Sequence, residues 1–295
     1  MTNSLYRGRF APSPTGNPHI GTLIAAVASY LQARSKSGEG LLRIEDVDTT
    51  RRVTGSDSAI MSTLERLGFE WDQEVTWQSR RTEQYQQALE QLMAEERVFP
   101  CTCSRKLLAQ TAGEISGVYP GTCRSNRLPL AHPHAIRLRV DDIMIHFDDA
   151  VSGEYRQSLV DECGDFVIKR RDGLFAYQLA VVVDDALQGI TEVVRGADLL
   201  DSTPRQIFLQ RCLGYSQPDY VHLPLILDPQ GRKLSKSEGA AELNADKPAA
   251  SLHKALAHLG QQPPLALMHA GVTDIWQWAL ENWEIGKIPT THAAW

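Results

Sequence analysis

Arg9-Phe-Ala-Pro-Ser-Pro-Thr-Gly-Asn-Pro-His-Ile-Gly-Thr22 is the stretch that decides how this chain folds. Ahead of it, Leu5 to Phe10 is short, partly aromatic and strand-like. Behind it, Leu23, Ala26, Val27, Tyr30 and Leu31 recur at helical spacing. The stretch therefore reads as a βα loop. Pro12, Pro14 and Pro18 fix φ and push each preceding residue toward extended backbone, so the loop is stiff before any ligand arrives. Gly16 and Gly21 let backbone approach a ligand closely. Gly21 and Thr22 also set free N–H groups and the positive end of a helix dipole where a triphosphate can sit. His19, just ahead of that helix end, can donate to phosphate oxygens as charge builds on them. On its own, His-x-Gly fits equally a Pro-rich turn with a surface histidine.

At 295 residues the chain has room for about two domains and a sizeable core. With 42% hydrophobic and 22% charged residues it reads as an ordinary globular protein without repeats, low-complexity blocks or a membrane span. The N-terminus reaches strand and loop within about ten residues, which leaves no space for a secretory leader and suggests a cytoplasmic protein. The formal charge of −6 argues against indiscriminate polyanion binding, although the pairs Arg51-Arg52, Arg80-Arg81 and Arg105-Lys106 and the run Lys169-Arg170-Arg171 allow a local patch. Five cysteines in such a chain point to thiols or a metal rather than to disulfides.

Strand and helix signals alternate outward from the loop. Leu41 to Ile44 suits a buried parallel strand, and Glu45, Asp46 and Asp48 follow at its carboxyl end, as a metal site, a loop cap or a clamp for a cationic group. Asp57 to Leu67 and Glu83 to Glu96 read as helices, giving a Rossmann-type, doubly wound parallel α/β sheet. From Phe99 the character changes to a segment rich in Gly, Pro and Ser that carries Cys101, Cys103, Tyr119 and Cys123. Its expected partner is the run Ala135 to Val160, where Ile136, Leu138 and Val140 alternate with charged residues as in an exposed strand. Gly173 to Val183 fits a core strand or a buried helix start. Ile190 to Arg195 and Val221 to Leu227 read as strands, and Thr203 to Leu213 as a helix with Pro204 in its first turn. Short helices are expected at Ser251 to Leu259 and Thr273 to Trp283. The expected division is a catalytic sheet in two halves, 1–98 and 166–240, an inserted metal-bearing subdomain, 99–165, and a small helical C-terminal region, 241–295.

Lys233-Leu-Ser-Lys-Ser237 follows a Pro-Gln-Gly turn. Two lysines three residues apart on a Gly-bounded loop suit the polyphosphate of ATP as it becomes a leaving pyrophosphate. Alone this is a solvated basic loop, but its pairing with His-x-Gly at the first βα turn is a combination that chance rarely supplies.

That pair resembles the two signatures of class I aminoacyl-tRNA synthetases. Arg9-Phe-Ala-Pro-Ser-Pro-Thr-Gly16, Arg43-Ile-Glu-Asp-Val-Asp48 and Val194-Arg-Gly-Ala-Asp198 are similar to the glutamyl branch of that family, over residues 5 to about 240. Thr22 stands where the first signature usually ends in histidine, and Leu234 where the second has methionine. The resemblance implies ATP with Mg²⁺, bound by Pro12, His19, Gly21, Thr22, Lys233, Ser235 and Lys236, with His19, Lys233 and Lys236 catalytic. It implies L-glutamate held by Arg9, Ala11, Ser13, Glu45, Tyr177 and Arg195. Arginine's planar fork suits two carboxylates, and Glu45 is the partner for the ammonium. The reaction implied is attack of the substrate α-carboxylate on the α-phosphorus of ATP, independent of tRNA, followed by attack of an RNA hydroxyl on the adenylate.

Two features point to a shortened paralogue within that branch, one that places glutamate on the queuosine of the tRNA(Asp) anticodon. Val181 stands in Gln178-Leu-Ala-Val where full-length glutamyl enzymes usually carry asparagine. The sequence also runs only about sixty residues beyond Lys236, which is read as lack of an anticodon-binding domain. The alternatives are a truncated synthetase charging a tRNA 3′ end and a non-catalytic binding module. Three cysteines fall one short of zinc's tetrahedral set, and by type His132 or His134 would complete it. The resemblance instead implies Zn²⁺ on Cys101, Cys103, Tyr119 and Cys123. Cys163 and Cys212 are read as packing residues. A monomer without membrane contact is expected.

Overall fold

A computed structural model describes residues 5–104, 106–108, 118–125, 133–227, 247–291 and 293–294. Period-two alternation in its first strands sends side chains to both faces of a sheet. In β2 (Glu39–Ile44), Leu42 enters one apolar cluster and Leu41 the other. β2 is parallel to β1 (Arg7–Phe10), with Phe10 opposite Leu42, and to the short β3 (Thr76–Trp77). On its other side β1 meets the entry to β9 (Glu192–Gly196), where the Thr191 N–H donates to the Arg7 carbonyl at 2.9 Å. β9 pairs in parallel with β10 (Asp219–Leu223). β10 lies parallel to β6 (Met144–Asp149), and β6 closes that edge with antiparallel β7 (Gly153–Ser158). The strand order reverses between β1 and β9, the point where open α/β sheets form a crevice.

Helices cover both faces. α1 (Ile20–Ser35) and α2 (Ser56–Arg66) lie on one with α7 (Pro248–His258) and α8 (Val272–Asn282). α3 (Thr82–Ala94), α5 (Tyr177–Leu187) and α6 (Thr203–Leu213) lie on the other. α4 is a single turn at Leu159–Glu162. The C-terminal helices dock through aromatics: the Trp276 ring meets Tyr30 and Phe69 edge-on, with centroids 4.7 and 4.9 Å apart, and its Nε1 donates to the Leu67 carbonyl at 2.8 Å.

Three expectations need correcting. The run Ala135 to Val160 does not belong wholly with the cysteine segment. β5 (Ala135–Leu138) does pair with β4 (Val98–Cys101) and with β8 (Phe166–Lys169), but β6 crosses into the main sheet. Alternation of buried Ile145, Phe147 and Asp149 with exposed Met144, His146 and Asp148 announces a half-buried strand without saying which sheet receives it. β5 is also less exposed than its charges suggest, because Arg137 is buried against Tyr119. Finally, Val221 to Leu227 is interrupted at Pro224, which cannot donate to a ladder, and resumes as β11 (Ile226–Leu227), paired with β12 (Ala293–Ala294). The ambiguous run after Gly173 is the helix α5.

Candidate active site

A cleft of about 480 Å³ opens at the reversal between β1 and β9. Arg9, Ala11, Pro12, Ser13, His19, Gly21, Thr22, Glu45, Tyr177 and Arg195, nominated from four separate stretches of sequence, all line it. Lys233, Ser235 and Lys236 lie outside the described residues. The segment that carries them follows Ile226 and Leu227, and Ile226 is part of the cleft wall.

At one end of the cleft is the start of α1. His19 is its N-cap: its Nδ1 accepts from the Thr22 N–H at 3.3 Å, and the His19 N–H meets the Thr22 hydroxyl at 3.5 Å, a reciprocal capping box. With Nδ1 accepting, the proton of the neutral ring sits on Nε2. Thr22, the departure from the first signature, thus closes the cap. Gly21 is needed for space. A Cβ there would lie 3.0 and 3.1 Å from Cε1 and Nδ1 of His19, tighter than side chains normally pack. The loop is anchored by the Gly16 N–H donating to Ser56 Oγ at 3.0 Å and by the Glu45 N–H donating to the Pro12 carbonyl at 2.9 Å.

At the other end lies a buried network of alternating charge that the sequence reading missed. Arg43, fully buried, reaches Asp185 at 2.7 Å and Glu45 at 3.3 Å. Arg9 Nε donates to the same Asp185 oxygen at 3.1 Å. Asp184 accepts from Arg81 at 2.5 Å, Tyr85 at 2.8 Å and Gln78 at 3.0 Å. Adjacent aspartates closing the apolar run Leu179 to Val183 were the available signal, because buried carboxylates demand partners. Burial pushes the Glu45 carboxyl up, and the neighbouring Arg43 and Arg9 offset only part of this. An ammonium ion beside Glu45 would favour its charged form.

Arg195 also lines the cleft. Its Nε donates to His222 Nε2 at 3.1 Å and its Nη2 to Thr203 Oγ1 at 2.8 Å, while among the described residues Nη1 is buried without a partner. Tyr177, at the start of α5, has its phenol pushed up by burial and by Glu45. Val181 does not line the cleft; it packs in the apolar cluster on the α5 face.

The three acids after β2 separate. Asp46 caps the next turn by accepting from the Ser79 N–H and hydroxyl at 2.8 and 2.7 Å, Asp48 pairs with Arg170 at 2.7 Å, and only Glu45 faces the cleft. The basic pairs separate too, for Arg81 enters the buried network whereas Arg80 stacks on Trp77 at 4.5 Å. Arg51 and Asp198 line the cleft and were not foreseen as part of it.

The cysteine segment brings the Cys101, Cys103 and Cys123 sulfurs within 4.8 Å of one another, and among the described residues no histidine joins them. His132 lies outside the described residues. The Tyr119 oxygen lies beside them, 3.4 Å from Cys101 Sγ and 3.8 Å from Cys103 Sγ. A zinc tetrahedron with Zn–S about 2.3 Å and Zn–O about 2.0 Å has S···O edges of about 3.5 Å, so the three thiols suit the ion in type and these two spacings suit it in length. Arg137 supplies compensating charge, its guanidinium 3.9 Å from the Tyr119 ring centroid and its Nε donating to Cys101 Sγ at 3.3 Å. Against the effect of burial, the backbone N–H of Thr102 and the neighbouring hydroxyl and thiol bring the Cys123 thiol down to about 7.

Known proteins are similar to this chain in sequence and fold. Residues 6–264 match the family described as tRNA synthetases class I (E and Q), catalytic domain. The chain is 53% identical over 287 residues to the glutamyl-Q tRNA(Asp) synthetase of Ectopseudomonas mendocina, covering 97% of this chain and 96% of that protein. It is also 53% identical over 291 residues to the enzyme of that name from Dechloromonas aromatica, covering 97% of each. A crystal structure of a glutamate tRNA ligase from Elizabethkingia meningosepticum, in complex with its amino acid, superposes with a TM-score of 0.83 at 28% identity, covering 98% of this chain. The chain spans only 66% of that longer protein. Among the described residues no helix is long and apolar enough to cross a membrane. On its near-full-length match to these enzymes and to the family's catalytic domain, the chain belongs to the class I tRNA synthetases of the glutamyl and glutaminyl type, among the glutamyl-Q tRNA(Asp) synthetases.

Proposed function

We propose that the chain activates L-glutamate with ATP, without needing tRNA, and transfers the glutamyl group to the queuosine in the anticodon of tRNA(Asp). The observation that carries the choice of amino acid is the Nη1 of Arg195, a cleft-lining residue, which is buried and unpartnered among the described residues. A buried charged donor without an acceptor costs on the order of 1–3 kcal/mol or more, and a substrate carboxylate removes that cost. Arg9 and Arg195 hold the two carboxylates and Glu45 the ammonium, with the Tyr177 hydroxyl beside it and Ala11 and Ser13 closing the near wall. This sets the α-carboxylate against the α-phosphorus of ATP, whose phosphates lie along the loop from Pro12 to Thr22. His19 Nε2–H, Lys233, Ser235 and Lys236 stabilise charge as an oxygen–phosphorus bond forms and pyrophosphate leaves. Mg²⁺ enters with ATP and neutralises its phosphates. The adenylate carbonyl is then attacked by a hydroxyl of the queuosine diol, releasing AMP, and no side-chain nucleophile is needed. Zn²⁺ on Cys101, Cys103, Tyr119 and Cys123 supports the inserted segment rather than the chemistry.

The choice of RNA rests on the relatives' names and on charge. A chain of net charge −6 grips only a limited piece of RNA, and a single-stranded loop lets a modified base be splayed into a pocket. The decisive measurement offers ATP and labelled glutamate with an isolated queuosine-bearing tRNA(Asp) stem-loop that lacks the acceptor end. Label on the fragment is expected. An unlabelled fragment, together with stable glutamate on the 3′ end of intact tRNA(Glu), would establish a truncated synthetase instead.

A further inference from the structure

Behind Arg195 runs a chain of buried polar groups that no part of the proposed chemistry uses. Asp149 is the last residue of β6, His222 lies on β10 and Arg195 on β9, so three adjacent strands each contribute one member. The side chains of Asp149 and His222 are fully buried. Asp149 Oδ2 is 2.6 Å from His222 Nδ1, and its carboxylate also accepts the backbone N–H groups of Val151, Ser152 and His222, at 3.0, 2.8 and 3.0 Å. Burial raises the Asp149 carboxyl, but these donors, His222 foremost, overcome it and leave the group below its usual range.

The tautomer of His222 is fixed from both sides. Arginine has no acceptor, so the contact between Arg195 Nε and His222 Nε2 requires an unprotonated Nε2, and the contact with the Asp149 carboxylate requires the proton on Nδ1. A second proton would set an imidazolium against Arg195, with Arg9 adding to the repulsion from β1. Burial and Arg195 accordingly hold the ring below its ordinary pKa, although Asp149 pulls the other way. The remaining neighbours are uncharged: the Thr203 hydroxyl from α6, 3.1 Å from Nε2, the ring of Tyr220 from β10 itself, and Phe147 from β6. With Nε held by His222 and Nη2 by Thr203, the guanidinium plane of Arg195 is set, and Nη1 is left without a partner among the described residues.

We infer that His222, held as its Nδ1–H tautomer by Asp149, is a positioning residue that orients the Arg195 guanidinium and thereby sets the affinity for the amino-acid carboxylate. This rests on the reading of Arg195 as a glutamate ligand. The test is glutamate-dependent ATP–pyrophosphate exchange by the full chain carrying His222→Asn or His222→Gln. Asparagine reproduces the donor at Nδ1 but has nothing at Nε2; glutamine reproduces the acceptor at Nε2 but not the donor. His222→Asn is expected to raise KM for glutamate about tenfold or more, with kcat and KM for ATP within about twofold of wild type, and His222→Gln to recover most of that loss. In wild-type protein, ¹⁵N spectra of the imidazole should show the neutral Nδ1–H tautomer throughout the pH range in which the chain is folded. A His222→Asn enzyme with unchanged KM for glutamate, equal damage to every kinetic constant in both variants, or an Nε2–H ring would each overturn the inference. Arg195→Ala separates this from the underlying reading. If it abolishes exchange while His222→Asn is silent, only the positioning role fails; if it leaves exchange intact, the placement of glutamate fails.

Discussion

The cleft and the cysteine cluster are both small polar sites, yet they are held in opposite ways. Around the cleft, two extended apolar clusters clamp the sheet from both faces, and the ionised groups of the site are paired to one another inside it. Around the cysteines the apolar support among the described residues is Phe99, Tyr119 and the cysteines themselves, with Leu108 at the margin. One site is thus shaped before any ligand arrives, whereas the proposed zinc would supply local folding free energy to the other. The geometry alike in both, a few polar atoms converging at hydrogen-bond range, does not reveal this difference; what surrounds each does.

The comparison breaks first at Arg195. Arg195→Ala should lower glutamate-dependent ATP–pyrophosphate exchange on the order of 10²–10⁴-fold, since a buried carboxylate that loses its cation costs about 3–5 kcal/mol. The fold should persist, and a circular dichroism melt run beside the exchange assay checks it. The opposite response is expected of the cysteine segment. Chelation should raise amide hydrogen exchange at 99–104 and 118–125 by about tenfold or more while leaving β1, β2 and α1 protected. Elemental analysis near zero on fresh, unchelated protein would remove the contrast altogether. A finer probe of the preformed site is Gly21→Ala, whose Cβ must displace the His19 ring by a few tenths of an ångström. It should cost about tenfold in kcat with KM for glutamate little changed, as a charge-stabilising donor moves off line.

The smallest effect is a pH dependence. The folded-state pKa of His222 is depressed, so the unfolded chain binds the proton more readily. That contribution to stability is complete above the unfolded value near ~6.5 and falls with pH below it, by at most about 1.4 kcal/mol per unit. His258 shifts in the same direction, so the quantity to read is the difference between wild type and His222→Gln in urea unfolding. That difference should shrink from about pH 7.5 to about pH 5.5. A constant gap would mean that the folded-state pKa of His222 is unshifted, and a gap that widens toward low pH that the ring is protonated in the folded chain.

How much of this was legible in the sequence follows the same division. The βα loop announced itself, because prolines, glycines and an amphipathic flank are local signals, and each described residue nominated there lies on the cleft. Thr22 could be seen only as a departure from a signature; that it closes a cap against His19 depends on a side-chain rotamer that spacing does not give. The network of Arg43, Asp184 and Asp185 and the Asp149–His222 chain were out of reach for another reason. Their partners are about 30 to 180 residues apart, and alternation identifies a half-buried strand such as β6 without naming its neighbour. The surroundings of the three cysteines show the limit in reverse. Ligand type favoured a histidine, whereas among the described residues the oxygen that lies beside two of the sulfurs is that of Tyr119.

The buried charges around Arg43 also constrain how such a chain can diverge. Arg9, Arg43 and Arg81 face Glu45, Asp184 and Asp185, three cations against three anions, and Arg43 touches all three acids. Any single substitution that removes one charged member leaves the group with one uncompensated charge. The neighbourhood can therefore drift only by paired changes, or through intermediates that fold poorly, whereas the exposed residues of β7 can be exchanged one at a time. Among relatives, Arg43 and Asp185 should be kept or lost together, a pattern that traces ancestry independently of the substrate-binding residues.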